Sequence, residues 1–250
     1  MAKSIFDIGC VLEGKQSKIS EISTTLTEIL IQLSEIDSAF LNPTYVKGNN
    51  RKELHIQPTN KSISIEDFNQ LIIQSFKEDI LKNDGEPNPT KEFSRPYGFL
   101  LLLEFHLEDK QQFAVFTRLG SKEYQDFKIF SVNKTIEHNF DWYGSLLKNL
   151  VEYFSPSQGA VTINLPAFND KFKPLEVWPP LGWITYFSND YEIKIPDDLD
   201  GIEYEYTNKG KYLILTREDF TTSKEAFEEQ RDKLIKLMLE IKERVPEYSK

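Results

Sequence analysis

Gly98-Phe99-Leu100-Leu101-Leu102-Leu103-Glu104-Phe105-His106-Leu107 and Gln112-Phe113-Ala114-Val115-Phe116-Thr117-Arg118-Leu119 are two apolar and aromatic runs separated by Glu108-Asp109-Lys110-Gln111. Two such runs joined by a short polar turn read as an antiparallel hairpin. Phe127 to Val132 adds a further strand, so the middle of the chain is a block of β structure. Towards the N-terminus, Ile5 to Leu12 reads as a short strand ended by Glu13-Gly14. Ile19, Ile22, Leu26, Ile29, Leu30, Leu33 and Ile36 then recur at steps of three and four, the spacing of a helix with one apolar face. Ser64 as N-cap, acids at 66 and 67, and Phe68, Leu71, Ile72, Phe76 and Ile80 predict a second helix. Residues 82–96, KNDGEPNPTKEFSRP, hold three prolines and a glycine without periodicity and mark a loop or a seam between subdomains.

Towards the C-terminus, Asp141 opens a short helix through Trp142, Leu146, Leu147, Leu150, Val151 and Phe154, stopped by Ser155 to Gly159. Five short strands follow, over 161–165, 182–188, 191–195, 202–206 and 211–216, with turn signals at Asn189-Asp190 and Asn208-Lys209-Gly210. Ser223 caps a last helix with Glu225, Glu228 and Glu229 early and Lys236, Lys242 and Arg244 late, which matches the helix dipole. Helices and strands are grouped in blocks and do not alternate as βαβ units. The expected fold is α+β, a mainly antiparallel sheet packed on amphipathic helices, in one domain of 1–250 with a possible seam near 82–96.

Composition bounds the function. With 18 Phe, 11 Tyr and 3 Trp in 250 residues, the chain can bury a large core. One cysteine, Cys10, forms no internal disulfide, which suits a reducing, cytoplasmic setting. The N-terminus has no signal-peptide pattern and no run approaches a membrane span, so no membrane partner is expected. Forty acidic against thirty basic side chains give a net charge of -10, which disfavours nucleic acid and steers a basic partner towards the chain. Such a charge also serves solubility alone.

Chemistry-bearing motifs are few. The phosphate, zinc, acyl-transfer and redox signatures GxGxxG, HExxH, GxSxG and CxxC are absent, so neither a catalytic site nor a cofactor or metal is expected. The best cluster is Glu104, His106 and Glu108, which alternate along one strand and would share a sheet face as acid/base groups of a small-molecule enzyme. The competing reading makes them the polar face of a half-exposed strand whose other face is Leu103, Phe105 and Leu107. A non-toxin adaptor module is a further alternative.

The most individual stretch is Trp178-Pro179-Pro180-Leu181-Gly182-Trp183-Ile184-Thr185-Tyr186-Phe187-Ser188. Prolines set an extended entry, Gly182 permits close backbone approach, and the large aromatic residues serve either as core or as interface anchors. This stretch resembles the W-x-x-x-G-W-[MI]-T-Y-[LF]-S signature of the immunity protein 52 family of bacterial polymorphic toxin systems. Ile19 to Phe40 with Tyr45-Val46-Lys47-Gly48, and Gly98-Phe99-Leu100 to Arg118-Leu119-Gly120, are similar to that family's long helix and central hairpin. Ser38 stands where proline is usual, and the hairpin lacks a tryptophan often found there. The resemblance implies a non-enzymatic cytoplasmic protein that neutralises a cognate toxin by occlusion. That toxin is often a nuclease with a restriction-endonuclease-like domain delivered by type VI secretion. Trp178, Gly182, Trp183 and Tyr186 are then structural signature residues. For the toxin-binding surface, the densest acidic stretch supplies Asp197, Asp198 and Asp200 on a loop and Glu203 and Glu205 on one face of a strand.

Overall fold

A computed structural model of the chain describes residues 6–15, 17–41, 43–47, 50–53, 69–70, 73, 82–83, 86–87, 99–107, 110–121, 124–131, 139–163, 181–220 and 223–249. The chain divides into two compact units, Met1–Leu12 with Lys134–Lys250, and Glu13–Asn133. Residues 82–96, the expected seam, fall within the span of the second unit. The sheet is mainly antiparallel, and the fold is α+β.

In the second unit, α1 (Ile19–Ile36) follows the predicted stripe, with Ile19, Ile22, Leu26, Ile29, Leu30 and Leu33 buried. Its sheet is built from β2 (Pro43–Lys47), β3 (Asn50–Glu53), β6 (Phe99–Leu107), β7 (Lys110–Leu119) and β8 (Tyr124–Ser131), in the order β8-β7-β6-β2-β3. A separate two-residue ladder joins β4 (Lys82–Asn83) to β5 (Glu86–Pro87). The hairpin β6–β7 runs in register from Phe99↔Leu119 to Phe105↔Phe113, with an irregularity between Phe105 and His106. Phe99, Leu101, Leu103 and Phe105 alternate inward, as strand geometry requires. Phe40 stacks on Phe113 at 4.7 Å and meets the edge of Phe105 at 5.1 Å, closing this core. Of the helix expected over 65–80, only residues 69, 70 and 73 are described; they are helical.

The first unit holds β1 (Phe6–Glu13), α2 (Phe140–Phe154), β9 (Gln158–Ile163), β10 (Ile184–Ser188), β11 (Glu203–Tyr206), β12 (Gly210–Ile214) and α3 (Lys224–Arg244), with strand order β11-β12-β10-β9-β1. Helix α2 starts at Phe140, one residue ahead of the expected opening at Asp141: Asn139 is its cap, accepting from Trp142 N–H at 3.1 Å, and Asp141 sits in the first turn. Ser223 caps α3 as read, accepting from Ala226 N–H. Strand β9 begins at Gln158, earlier than Val161, because Gln158, Gly159 and Ala160 pair with Val11, Cys10 and Gly9. The strand expected over 191–195 does not form. Both edges of β10 are already taken by β9 and β12, so the chain leaving it cannot turn back and pair with β10.

Entry into β10 is a tight point of this unit. A Cβ on Gly182 would lie 2.1 Å from the Val161 carbonyl oxygen and 2.9 Å from Thr162 Cα, so only glycine fits. That approach lets Trp183 N–H donate to the Val161 carbonyl at 2.7 Å. Trp183 is 0% exposed. Its indole meets Phe220 at 4.8 Å, Phe6 at 5.1 Å, Phe140 at 5.8 Å and Tyr143 at 5.9 Å. Its Nε1–H donates to the Thr216 carbonyl at 2.7 Å, so the one polar atom of the ring is satisfied.

Gly182→Ala cannot be absorbed by side-chain movement, because the clash is with backbone. It should reduce folded yield and shift the urea midpoint at least as far as Trp183→Ala, for which emptying the indole site costs about 3 to 5 kcal/mol. A Gly182→Ala protein with the unchanged midpoint would refute this packing.

Candidate functional site

The five carboxylates expected to form one docking surface lie close in space but not on one face. Tyr204 and Tyr206 project from one side of β11, and both reach the acidic loop. The Tyr204 hydroxyl accepts from Leu199 N–H at 2.8 Å and donates to the Pro196 carbonyl at 3.2 Å, and the Tyr206 hydroxyl donates to Asp197 at 3.2 Å. The loop with Asp197, Asp198 and Asp200 therefore covers the tyrosine side, and Glu203 and Glu205 project from the opposite side. Sequence alternation placed the two glutamates together. The course of the loop was decided by hydroxyl–backbone bonds that leave no pattern in sequence.

Most of these carboxylates carry an internal cation. Lys211 Nζ bonds Asp197 at 2.5 Å and the Ile195 carbonyl at 2.6 Å. Arg244 reaches Asp198 from the end of α3 and Glu240 at 2.8 Å. Arg217 grips Glu203 through two nitrogens at 2.6 and 2.9 Å and touches Glu205 at 3.3 Å, and Lys148 of α2 bonds Glu205 at 2.5 Å. Asp200 instead offers its backbone N–H to Glu240 at 3.4 Å. Sequence reasoning missed Lys148, Lys211, Arg217 and Arg244, which come from other elements. Beside them a groove of about 440 Å³ is lined by Lys148, Glu152, Glu205, Lys209 and Tyr212.

Three of the signature residues lie in the packed interior of the first unit. Gly182 and Trp183 build the strand entry, and Tyr186 is buried, its hydroxyl donating to the Lys209 carbonyl at 2.9 Å. Burial raises the Tyr186 pKa. Trp178 lies outside the described residues, as does Glu108. Glu104 and His106 share the outward face of β6, with His106 Nε2 3.2 Å from a Glu104 oxygen. Cys10 is wholly buried and its thiol is pushed up to about 12 by desolvation. Among the described residues no group of three or more His, Cys, Asp or Glu could hold a metal ion, and no helix is long and apolar enough to cross a membrane.

No family model and no curated protein matches the chain. Among solved structures, the T6SS protein PA0821 of Pseudomonas aeruginosa is similar over 84% of this chain at 9% identity with a TM-score of 0.45, and the chain covers 64% of that protein's length.

Bonds from Lys211, Arg217 and Lys148 hold Asp197, Glu203 and Glu205 below the ordinary carboxylate range. A lowered folded pKa contributes stability above the unfolded value, and the contribution is lost as pH falls through the folded one. The combined Asp197→Asn, Glu203→Gln, Glu205→Gln protein should melt below the unchanged protein at pH 7, by about 0 to 1 kcal/mol per exposed pair. The gap should close as pH falls below about 4. A gap constant across a pH series of thermal melts would show that the pairs contribute nothing through charge. In a second check, a thiol reagent should leave Cys10 unmodified in the folded protein and label it on unfolding.

Proposed function

We propose that this chain is an immunity protein that binds and neutralises a cognate bacterial toxin in the cytoplasm, by occlusion and without catalysis of its own. The observation that carries the reading is the similarity of Trp178 to Ser188 to the immunity protein 52 signature. The packing gives that similarity a physical meaning: Gly182, Trp183 and Tyr186 are fold-bearing positions, where a shared pattern reflects a shared scaffold. The net charge of -10 supports a basic partner, since a nuclease that grips phosphates presents a basic surface that an acidic protein can cover.

The enzyme alternative rests on Glu104 and His106 with Glu108. The pair at 3.2 Å also suits two outward-facing residues on a half-exposed strand, and the binding reading needs nothing from it.

The test is co-expression with the product of the adjoining gene, which this reading expects to end in a toxic domain. The unchanged protein should restore growth, and the Glu104→Ala, His106→Ala, Glu108→Ala protein should restore it equally. Loss of rescue by a folded, toxin-binding triple variant would overturn the non-enzymatic reading, and no rescue by the unchanged protein would overturn immunity to that toxin.

A further inference from the structure

Strand β11 closes one side of its sheet. β12 holds one of its edges and, among the described residues, no strand holds the other. The ladder's phase tells which backbone groups face outward. Thr207 N–H donates to the Gly210 carbonyl at 2.8 Å, and across β12 Leu215 N–H donates to the Trp183 carbonyl at 2.9 Å. Bonded and non-bonded pairs alternate in an antiparallel ladder. Both contacts therefore make Glu203↔Ile214 and Glu205↔Tyr212 the bonded pairs, and leave the N–H and C=O of Tyr204 and Tyr206 pointing away from β12. Four backbone groups stand in a row on this edge, beside Tyr206, which is 62% exposed.

The edge is also held in shape. Tyr204 and Tyr206 are tied by their hydroxyls to the 196–199 loop, and Glu203 and Glu205 by Arg217 and Lys148. A strand that adds here meets a preformed template and loses less ordering entropy on binding.

Charge selects the occupant. A second copy pairing edge to edge would bring the acidic strand and loop against their own like, and like charges on paired strands repel. Asp197, Asp198, Asp200, Glu203, Glu205 and Glu240 stand here against Lys148, Lys211, Arg217, Lys233 and Arg244, six negative groups to five positive. The surplus is acidic. We infer that β11 is a strand-addition site that takes an extended, lysine- and arginine-rich segment of the partner protein, main-chain bonds supplying affinity and the carboxylates on either side its basic preference. This rests on the partner-binding reading above.

The probe is the C-terminal domain of the adjoining gene's product, expected on that reading to be the toxin, in a catalytically inactive form. In the free protein the Glu203 and Glu205 amides should exchange slowly with deuterium and those of Tyr204 and Tyr206 fast. In the complex the latter two should slow by about tenfold or more. Tyr206→Pro removes an outward donor without touching the β12 ladder and should weaken binding by about tenfold. Tyr206→Phe keeps the donor, loses the hydroxyl and should bind as the unchanged protein does. Unaltered exchange at Tyr204 and Tyr206 in the complex, or full affinity of Tyr206→Pro, overturns strand addition and leaves the immunity reading standing. No binding by the unchanged protein overturns both. Dimerisation of the free chain that Tyr206→Pro abolishes would make a second copy the occupant and overturn the basic partner.

Discussion

The first unit depends on the contact of Gly182 with the backbone of β9. A side chain there would drive into the Val161 carbonyl, so its absence lets β10 approach β9 and delivers Trp183 into the core. Much of the unit converges on that indole. Phe6 comes from β1, Phe140 and Tyr143 from α2, and Phe220 from the segment before α3. The Thr216 carbonyl accepts the indole N–H and so ties the exit of β12 to the same point. One close approach thus fixes four elements at once, and a single added methyl group is felt by all of them.

The acidic surface is a network as much as a charged patch. Asp197, Glu203 and Glu205 are bridged to cations from β12, α2 and the segment after β12, and their formal charge is partly cancelled. Exposed pairs of this kind add little stability each, but several sharing one loop and strand hold its shape. This bears on how the surface can be probed. Reversing Asp197, Asp198, Glu203 and Glu205 to lysine would set cation against cation at Lys211, Arg244, Arg217 and Lys148, so such a variant alters folding and binding together.

The same network explains why a strand as short as β11 can be well defined at the end of a sheet. Its tyrosines pack on one side and its glutamates are gripped on the other, so the backbone edge keeps one conformation. Natural sheets blunt their edges with charge, shortness or cover. This edge has charge and shortness, which discourage self-association and leave a basic strand of opposite character welcome.

Much of the architecture was legible in the residues alone, because local periodicity carries it. The apolar stripe of α1, the β6–β7 hairpin, the cap of α3 and the need for a small residue at Gly182 each follow from neighbours in sequence. What was not legible depended on who sits next to whom. Residues 191–195 alternate like a strand, yet β10 already has two neighbours and offers no edge. Asp197 to Glu205 read as one acidic surface, yet two tyrosine hydroxyls draw the loop over one face of β11 and leave the glutamates on the other. The cations that pair with the cluster lie up to 57 residues away, on elements whose own sequence calls for nothing more than a solvated lysine or arginine. Periodicity is a property of one element and is written in its residues. Register, edge occupancy and charge pairing belong to two elements at once, and only the packed chain decides them.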